Sequence, residues 1–219
     1  MERFGERVLK NASKDFKYLL DRGYRRTPAL NFVADHYRLG KQDRNFIIRF
    51  VFSEKEIRNH KSKLIPFPRI RRKNLVIDTY NVLVTAQAVI SGKEVVRGMD
   101  GFLRDTSAVF SKYRFNEETK NAIEKILDIL SDYGPGFVLF ILDSQISRSG
   151  ELASYIRERL KEKFIEGNAR VSRNADREIK NLDWITATSD SVIIEKTKNA
   201  VDIIKLLLPE NSGKSRYIH

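Results

Sequence analysis

Four aspartates stand where strand-like runs of this 219-residue sequence end. Asp78 follows Leu75-Val76-Ile77, and Asp143 follows the wholly apolar run at 137–142. Asp176 opens a short helical stretch after a strand near Ala169-Arg170-Val171, and Asp190 lies just beyond Trp184-Ile185-Thr186-Ala187. In an open parallel sheet the carboxyl ends of the strands share one edge, and ligands bind in the crevice there. Carboxylates gathered in a cleft repel one another, so their natural partner is a hard divalent cation, Mg2+ or Mn2+. Such an ion activates water and stabilises in-line attack on a phosphodiester. Asp78, Asp143, Asp176 and Asp190 are therefore the candidate catalytic and metal-ligating set. Each also has a local reading: Asp176 and Asp190 as helix caps or first-turn acids, Asp78 and Asp143 as turn formers. Four coincidences on one edge favour a shared site.

Further residues could serve the same edge. Ser144 and Ser189 each adjoin a proposed ligand and could orient a carboxylate or touch a phosphate. Arg148, in the loop Ser147-Arg148-Ser149-Gly150, and Arg97 and Arg104 are candidates for phosphate contacts, although all are residue types common on ordinary surfaces. Other chemistries are excluded. With no cysteine there is no disulfide scaffold, thiolate zinc site or cysteine nucleophile, and His36, His60 and His219 are too scattered to form a cluster. Neither GxGxxG nor GxxxxGK[ST] occurs, which argues against dinucleotide and P-loop nucleotide binding.

The elements that must position these acids alternate between strand and helix from residue 74 onward. Short β-branched or apolar runs at 75–77, 137–142, 169–171, 184–187 and 200–203 read as strands. Helical patterns at 79–89, 102–113, 117–130, 150–164 and a short one from 175 lie between them. This order predicts an α/β fold, a three-layer α/β/α domain around a mostly parallel sheet. Ahead of it, Val8, Ala12, Phe16, Leu19 and Leu20 recur at helical spacing, and Gly23 supplies a stop. Thr27-Pro28 reads as a cap and first-turn proline opening a second helix with Leu30, Phe32, Val33 and Tyr37 near one face. A third runs from about Lys41, and Ser53 with Glu56 forms a capping box for a fourth. Phe16, Tyr18, Phe32 and Phe46 are expected to fill a core.

Charge separates the two parts. Residues 1–73 hold 20 Lys/Arg against 8 Asp/Glu, whereas residues 74–219 hold 21 of each, so the net charge of +12 lies in the first third. Such asymmetry points to an anionic partner, nucleic acid before membrane. The densest basic stretch, 55–73, contains Pro66 and Pro68, which predicts an extended linker. The expected organisation is a basic helical domain at 1–65, with a helix-turn-helix-like module as one reading, a basic linker at 66–73 and the α/β domain at 74–219. Tyr24, Arg25, Arg26, Arg71, Arg72 and Lys73 are candidate nucleic-acid contacts. No apolar run approaches the ~18 residues of a membrane span and no signal-peptide pattern opens the chain, so a cytoplasmic protein is expected.

Three motifs carry a family resemblance. Val76-Ile77-Asp78-Thr79-Tyr80-Asn81-Val82-Leu83 resembles the opening strand of the NYN branch of PIN-like nucleases, where an Asp-x-Tyr-Asn run ends the first strand. Asn174-Ala175-Asp176-Arg177-Glu178-Ile179 is similar to that branch's Ala-Asp-x-x-Ile segment, and Ala187-Thr188-Ser189-Asp190 to its Thr-Ser-Asp signature. The motifs occur in the right order over about residues 74–205. The whole chain resembles an uncharacterised prokaryotic family in which a small helical domain precedes a PIN-like one. The resemblance implies a Mg2+- or Mn2+-dependent ribonuclease with Asp78, Asp176 and Asp190 as ligands, and Asn81 positioning the first carboxylate or the phosphate. Asp143 matches by strand position. Acids are also expected after the first strand, where Asp100 and Asp105 stand, Asp100 with a helix cap as its alternative; Glu178 is a further candidate. Thr79 departs from the branch's usual glycine, and its side chain is expected to restrict substrate approach. PIN-like domains often pair, which makes a homodimer an expected partner state beside RNA. The alternatives are a non-catalytic RNA-binding module with a degenerate acidic site, and a metal-dependent phosphohydrolase of small phosphate esters.

Overall fold

The computed structural model describes residues 4–106, 113–208 and 216–217. Four helices lead: α1 (Phe4–Asp21), α2 (Arg26–His36), α3 (Lys41–Phe50) and α4 (Glu54–Lys63). Ala12, Phe16 and Leu20, spaced by four residues, form the buried stripe of α1 and pack with Val33 of α2 and Ile47 of α3. The capping box at α4 forms as expected: the Glu56 amide donates to Ser53 Oγ at 3.2 Å, and the Ser53 amide to Glu56 Oε2 at 2.7 Å. At α2 the helix starts two residues earlier than the Thr27-Pro28 signal predicts. Arg25 stands at the cap without a side-chain bond, since a guanidinium has no acceptor for the helix amides, and the Arg26 side chain bonds the Val51 carbonyl. Tyr18 and Phe32 do not fill the core: Phe32 lies well off the Ala29–Val33–Ala34 stripe and is 70% exposed, while Tyr18 stacks under the Arg22 guanidinium in solvent.

The remaining chain builds an α/β unit in which β1 (Asn74–Asp78) leads into α5 (Thr79–Ile90), a short β2 (Val95–Arg97)–β3 (Leu103–Asp105) hairpin, and α6 (Glu117–Tyr133). β4 (Phe137–Asp143), α7 (Ser149–Glu162), β5 (Gly167–Ser172), α8 (Ala175–Asn181), β6 (Ile185–Ala187), α9 (Ser191–Ile194) and β7 (Ala200–Val201) follow. The main sheet has five parallel strands in the order β5-β4-β1-β6-β7. The apolar run of β4 reflects burial on both faces. Leu75, Ile77, Val138, Phe140 and Leu142 face α5, α6 and α7, while Val76, Leu139 and Ile141 face Ile179 of α8 and Ile193 of α9. The strand at 216–217 pairs parallel with β2.

Three local expectations are corrected. The segment from Phe102 begins as strand β3, not helix, because Gly98 and Gly101 (φ 93°) turn the chain back on β2 and all of 102–105 is buried; 107–112 lie outside the described residues. Residues 66–73 are not an extended linker. Phe67–Ile70 forms a 3-10 turn whose Phe67 ring meets Tyr133 at 5.0 Å and whose Ile70 is fully buried in the sheet core. The last strand ends at Val201 and continues as a 3-10 turn, Ile203–Leu207.

Helix α4 runs against the far side of the sheet: Lys63 Nζ donates to the Ile194 carbonyl at 3.0 Å, and the Ile65 amide to that of Ala200 at 2.9 Å. Beneath this contact lies a buried polar cluster. Asp100 accepts both Arg104 terminal nitrogens at 2.8 and 2.6 Å and meets His60 Nδ1 at 3.0 Å, with all three side chains nearly inaccessible. The Arg104 pair holds the Asp100 carboxyl down at about 2 despite its burial. Removing one partner of such a pair leaves an uncompensated buried charge, at a cost of about 3–5 kcal/mol. Asp100→Ala is expected to lower the urea midpoint accordingly. Asp100→Leu combined with Arg104→Met is expected to be more stable than either single change; a double variant as unstable as the sum of the singles contradicts this assignment.

Candidate active site at the carboxyl edge of the sheet

The chain moves outward from β1 to β4 and β5, then returns to the other side of β1 with β6 and β7. The order reverses beside β1, and the carboxyl ends of the strands flanking such a switch point form a crevice. Asp78, the last residue of β1, stands at this place, and Asp143 ends the adjacent β4. Across the crevice the segment after β6 supplies Thr188, Ser189 and Asp190. Thr188 Oγ1 donates to Asp78 Oδ2 at 2.7 Å. Asn81, in the first turn of α5, accepts at Oδ1 from the Ser189 amide at 3.0 Å and the Ser189 hydroxyl at 2.6 Å. Asn81 thus holds the loop, and Thr188, which sequence reasoning passed over for its neighbour, orients the carboxylate. The Thr-Ser-Asp run was its available signal.

Asp78 retains some contact with solvent, but the surrounding protein encloses its carboxyl. This enclosure, reinforced by the charges of Asp190 and Asp176, pushes its pKa up to about 7, although the Thr188 hydrogen bond opposes the rise. Three of the expected acids therefore sense one another. Asp190 also realises its alternative role: it is the N-cap of α9, accepting the Val192 and Ile193 amides at Oδ1 at 2.7 and 3.1 Å. Asp143 Oδ1 accepts the Gln145 amide at 2.8 Å, closing a turn. Asp143 and Asp176 line one open cleft of about 670 Å3 with Arg173, Arg177 and Lys196. These three cations have no carboxylate partner among the described residues, and sequence reasoning missed them. Asp176 lies in the first turn of α8 with its side chain largely in solvent and Lys180 Nζ 3.9 Å away. Glu178 is paired with Arg170.

Several expected site residues are placed elsewhere. Asp100 and Asp105 do not reach the crevice: both are buried and neutralised, Asp100 by Arg104, with His60 bonded to it as well, and Asp105 by Arg49 at 3.0 Å. Arg104 cannot contact phosphate, since its Nε donates to the Ser189 carbonyl at 2.7 Å and its other nitrogens hold Asp100. Ser189 is buried and spent on Asn81, so it faces no ligand. Arg97 donates to the Gly101 carbonyl at 2.8 Å. Arg148 is exposed but forks onto Glu151 and reaches the Phe115 carbonyl. Ser144 is exposed, its amide bonded to the Ser172 carbonyl. Thr79 is fully buried, so its side chain points away from any approaching substrate. Asp202, absent from the expected set, is an enclosed acid that accepts the Leu103 and Ile204 amides; burial raises its pKa.

Among the basic candidates, Arg26 is withdrawn from the surface. It bonds Glu56 and the carbonyls of Ile48 and Val51, and lies over the Phe16 and Phe52 rings. Tyr24 and Arg25 are exposed beside it. Arg71, Arg72 and Lys73 are exposed at the amino edge of the sheet, opposite the acids. Arg72 is held at φ 56°, a left-handed conformation that costs a non-glycine residue about 1–2 kcal/mol.

An α/β protein with a basic helical region and acids at the switch point of a parallel sheet is thus the class that fold and site define. The chain belongs to the family described as Domain of unknown function (DUF5616), whose model matches residues 67–206. A second model, Protein of unknown function (DUF434), matches residues 8–63. An uncharacterized protein of Methanocaldococcus jannaschii is 45% identical over 198 residues, covering 90% of this chain and 94% of that protein. No solved structure matches the chain. No helix among the described residues is long and apolar enough to cross a membrane.

The elevated Asp78 value has a measurable consequence. Because the folded-state pKa lies above the ordinary 3.8, the folded protein holds this proton more tightly than the unfolded chain. Its contribution to stability is therefore most favourable below about pH 4 and declines as pH rises towards 7. Asp78→Asn removes the titration. In EDTA, urea unfolding is expected to show little difference between variant and wild type near pH 4. By pH 8 the variant should gain up to about 4 kcal/mol, less as solvent screens the charge. Parallel pH profiles for the two proteins contradict the assignment.

Proposed function

We propose that this protein is a metal-dependent ribonuclease of PIN-like architecture, hydrolysing RNA phosphodiesters in the crevice beside β1. The carrying observation is Asp78: an enclosed carboxylate at the end of the central strand, within the fields of Asp176 and Asp190 and without a cationic partner among the described residues. A cation is the counter-charge this arrangement lacks. The all-oxygen donor set suits Mg2+ or Mn2+. Among the described residues no three His, Asp or Glu side chains form a group that could by itself hold a metal ion. That is compatible with Mg2+, which keeps several waters and binds through one or two carboxylates together with substrate phosphates. When bound, the ion would neutralise phosphate charge and lower the pKa of a water.

The chain's own residues then divide the work. Asp78 and Asp190 would hold the ion, and Asp176 and Asp143 would add negative charge to the same crevice. Thr188 fixes the orientation of the Asp78 carboxylate. Asn81 fixes the loop that carries Thr188 and Asp190. Arg173, Arg177 and Lys196 border the acid-lined cleft and suit phosphates on either side of the scissile bond. The basic helical region would add sequence-independent attraction for RNA. A second reading, RNA binding without hydrolysis, is favoured by the same absence of a three-ligand group.

Purified protein incubated with a mixed-structure RNA in Mn2+ or Mg2+ is expected to cleave it, and Asp78→Asn to abolish cleavage. Thr188→Val is expected to lower the rate roughly 10–100-fold, as loss of a group orienting a ligand does. RNA that is bound but left intact by the wild type in both metals would establish the binding-module reading instead.

A further inference from the structure

The amino ends of three parallel strands converge on a second cavity, of about 750 Å3, at the edge of the sheet opposite the acids. Arg72 and Lys73 precede β1, Trp184 precedes β6, and Asn199 precedes β7; Arg69 closes one side from the 3-10 turn. β1 separates this cavity from Asp78 by four residues, about 13 Å of strand. Arg69, Arg72 and Lys73 are exposed and have no carboxylate partner among the described residues, whereas Lys198 beside them is paired with Asp183 at 2.7 Å. Trp184 leans its ring edge-on against Phe137 at 5.9 Å, and its indole N–H has no acceptor among the described residues. The backbone beneath the cations is fixed. The Arg72 amide donates to the Gly134 carbonyl, the Gly136 amide to that of Lys73, and a Cβ at Gly136 would lie 3.1 Å from the Arg72 carbonyl.

We propose that this groove binds single-stranded RNA, with phosphates on Arg69, Arg72 and Lys73 and a base stacked against Trp184. Cations tracking a backbone beside an aromatic face are what sequence-tolerant single-strand recognition requires. An acidic peptide would use the cations but not the indole. The site stands on its own residues; the choice of RNA over DNA rests on the ribonuclease reading. The strand would be held at the amino edge while the carboxyl edge receives another part of it.

Trp184 is the chain's single tryptophan, so its emission reports this groove alone. Titration of full-length Asp78→Asn protein with a short oligouridylate in EDTA keeps cleavage out of the measurement. Saturable quenching is expected, weakening steeply with salt. Arg69→Ala, Lys73→Ala and Arg72→Gly, the last suited to the left-handed backbone, are each expected to weaken binding several-fold and to reduce the log–log salt slope by about 0.7. Thermal melts confirm that each variant folds. Unchanged emission, quenching that survives all three substitutions, or equal quenching by polyglutamate overturns the proposal. Quenching intact in a protein that cuts no RNA with either metal removes the ribonuclease reading and leaves the groove.

Discussion

The bidentate pair between Arg104 and Asp100 is the contact through which the rest of the architecture is joined. Its members lie four residues apart on the β2–β3 hairpin, fully enclosed, yet each also bonds outward. Asp100 takes His60 from the fourth helix; Arg104 passes its Nε to the Ser189 carbonyl. One guanidinium therefore fastens the helical region, the hairpin and the loop carrying Thr188 and Asp190. A buried ion pair contributes little net stability over an apolar equivalent, but a fully satisfied one admits few alternative arrangements. Here the specified arrangement is the position of the Thr188 loop relative to β1.

Space around the pair shows how tightly it is drawn. A Cβ at Gly98 would come within 2.6 Å of an Arg104 terminal nitrogen and 2.7 Å of Asp100 Oδ1. The hairpin can close only because nothing projects there. Phe52 and Phe102 lie against the Arg104 guanidinium, and Phe52 also meets the His60 ring edge, so apolar rings seal the charges from water. With this wedge in place Ser189 is held from two directions, by Arg104 at its carbonyl and by Asn81 at its amide and hydroxyl. Asp78 then meets a fixed Thr188 hydroxyl.

What could be read in the sequence follows the range of the interactions. The capping box of Ser53 and Glu56 spans three residues, and the apolar run of β4 is a direct imprint of burial on both faces; both were legible. The acids at the strand ends were legible for a topological reason, since parallel strands deliver their last residues to one edge. Asp100, Asp105, Arg26 and Arg104 were misread as solvent-facing groups because their partners are remote in sequence. Asp105 is neutralised by Arg49, 56 residues away, Asp100 is bonded by His60, 40 away, besides its near partner Arg104, and Arg104 bonds Ser189, 85 away. No local pattern encodes the pairings with Arg49, His60 and Ser189. Tyr18 and Phe32 failed in the opposite sense, as large apolar residues left outside the buried stripes of short helices.

The same sorting changes the meaning of the +12 charge. Its location in the first third of the chain pointed to a basic helical surface, yet Arg26 and Arg49 there are consumed by Glu56 and Asp105. Among the described residues, cations without carboxylate partners include not only exposed ones of the helical region such as Arg22, Arg25, Lys55 and Lys61, but also Arg69, Arg72 and Lys73 at the amino edge of the sheet and Arg173, Arg177 and Lys196 at the carboxyl edge. An anion drawn to this protein is attracted by the uncompensated charges and not by the formal total. Two such groups at opposite edges of one sheet favour an extended, multiply charged partner over a compact phosphate ester. A small ester could occupy one edge or the other; a polyanionic strand is the ligand for which both edges would be useful at once.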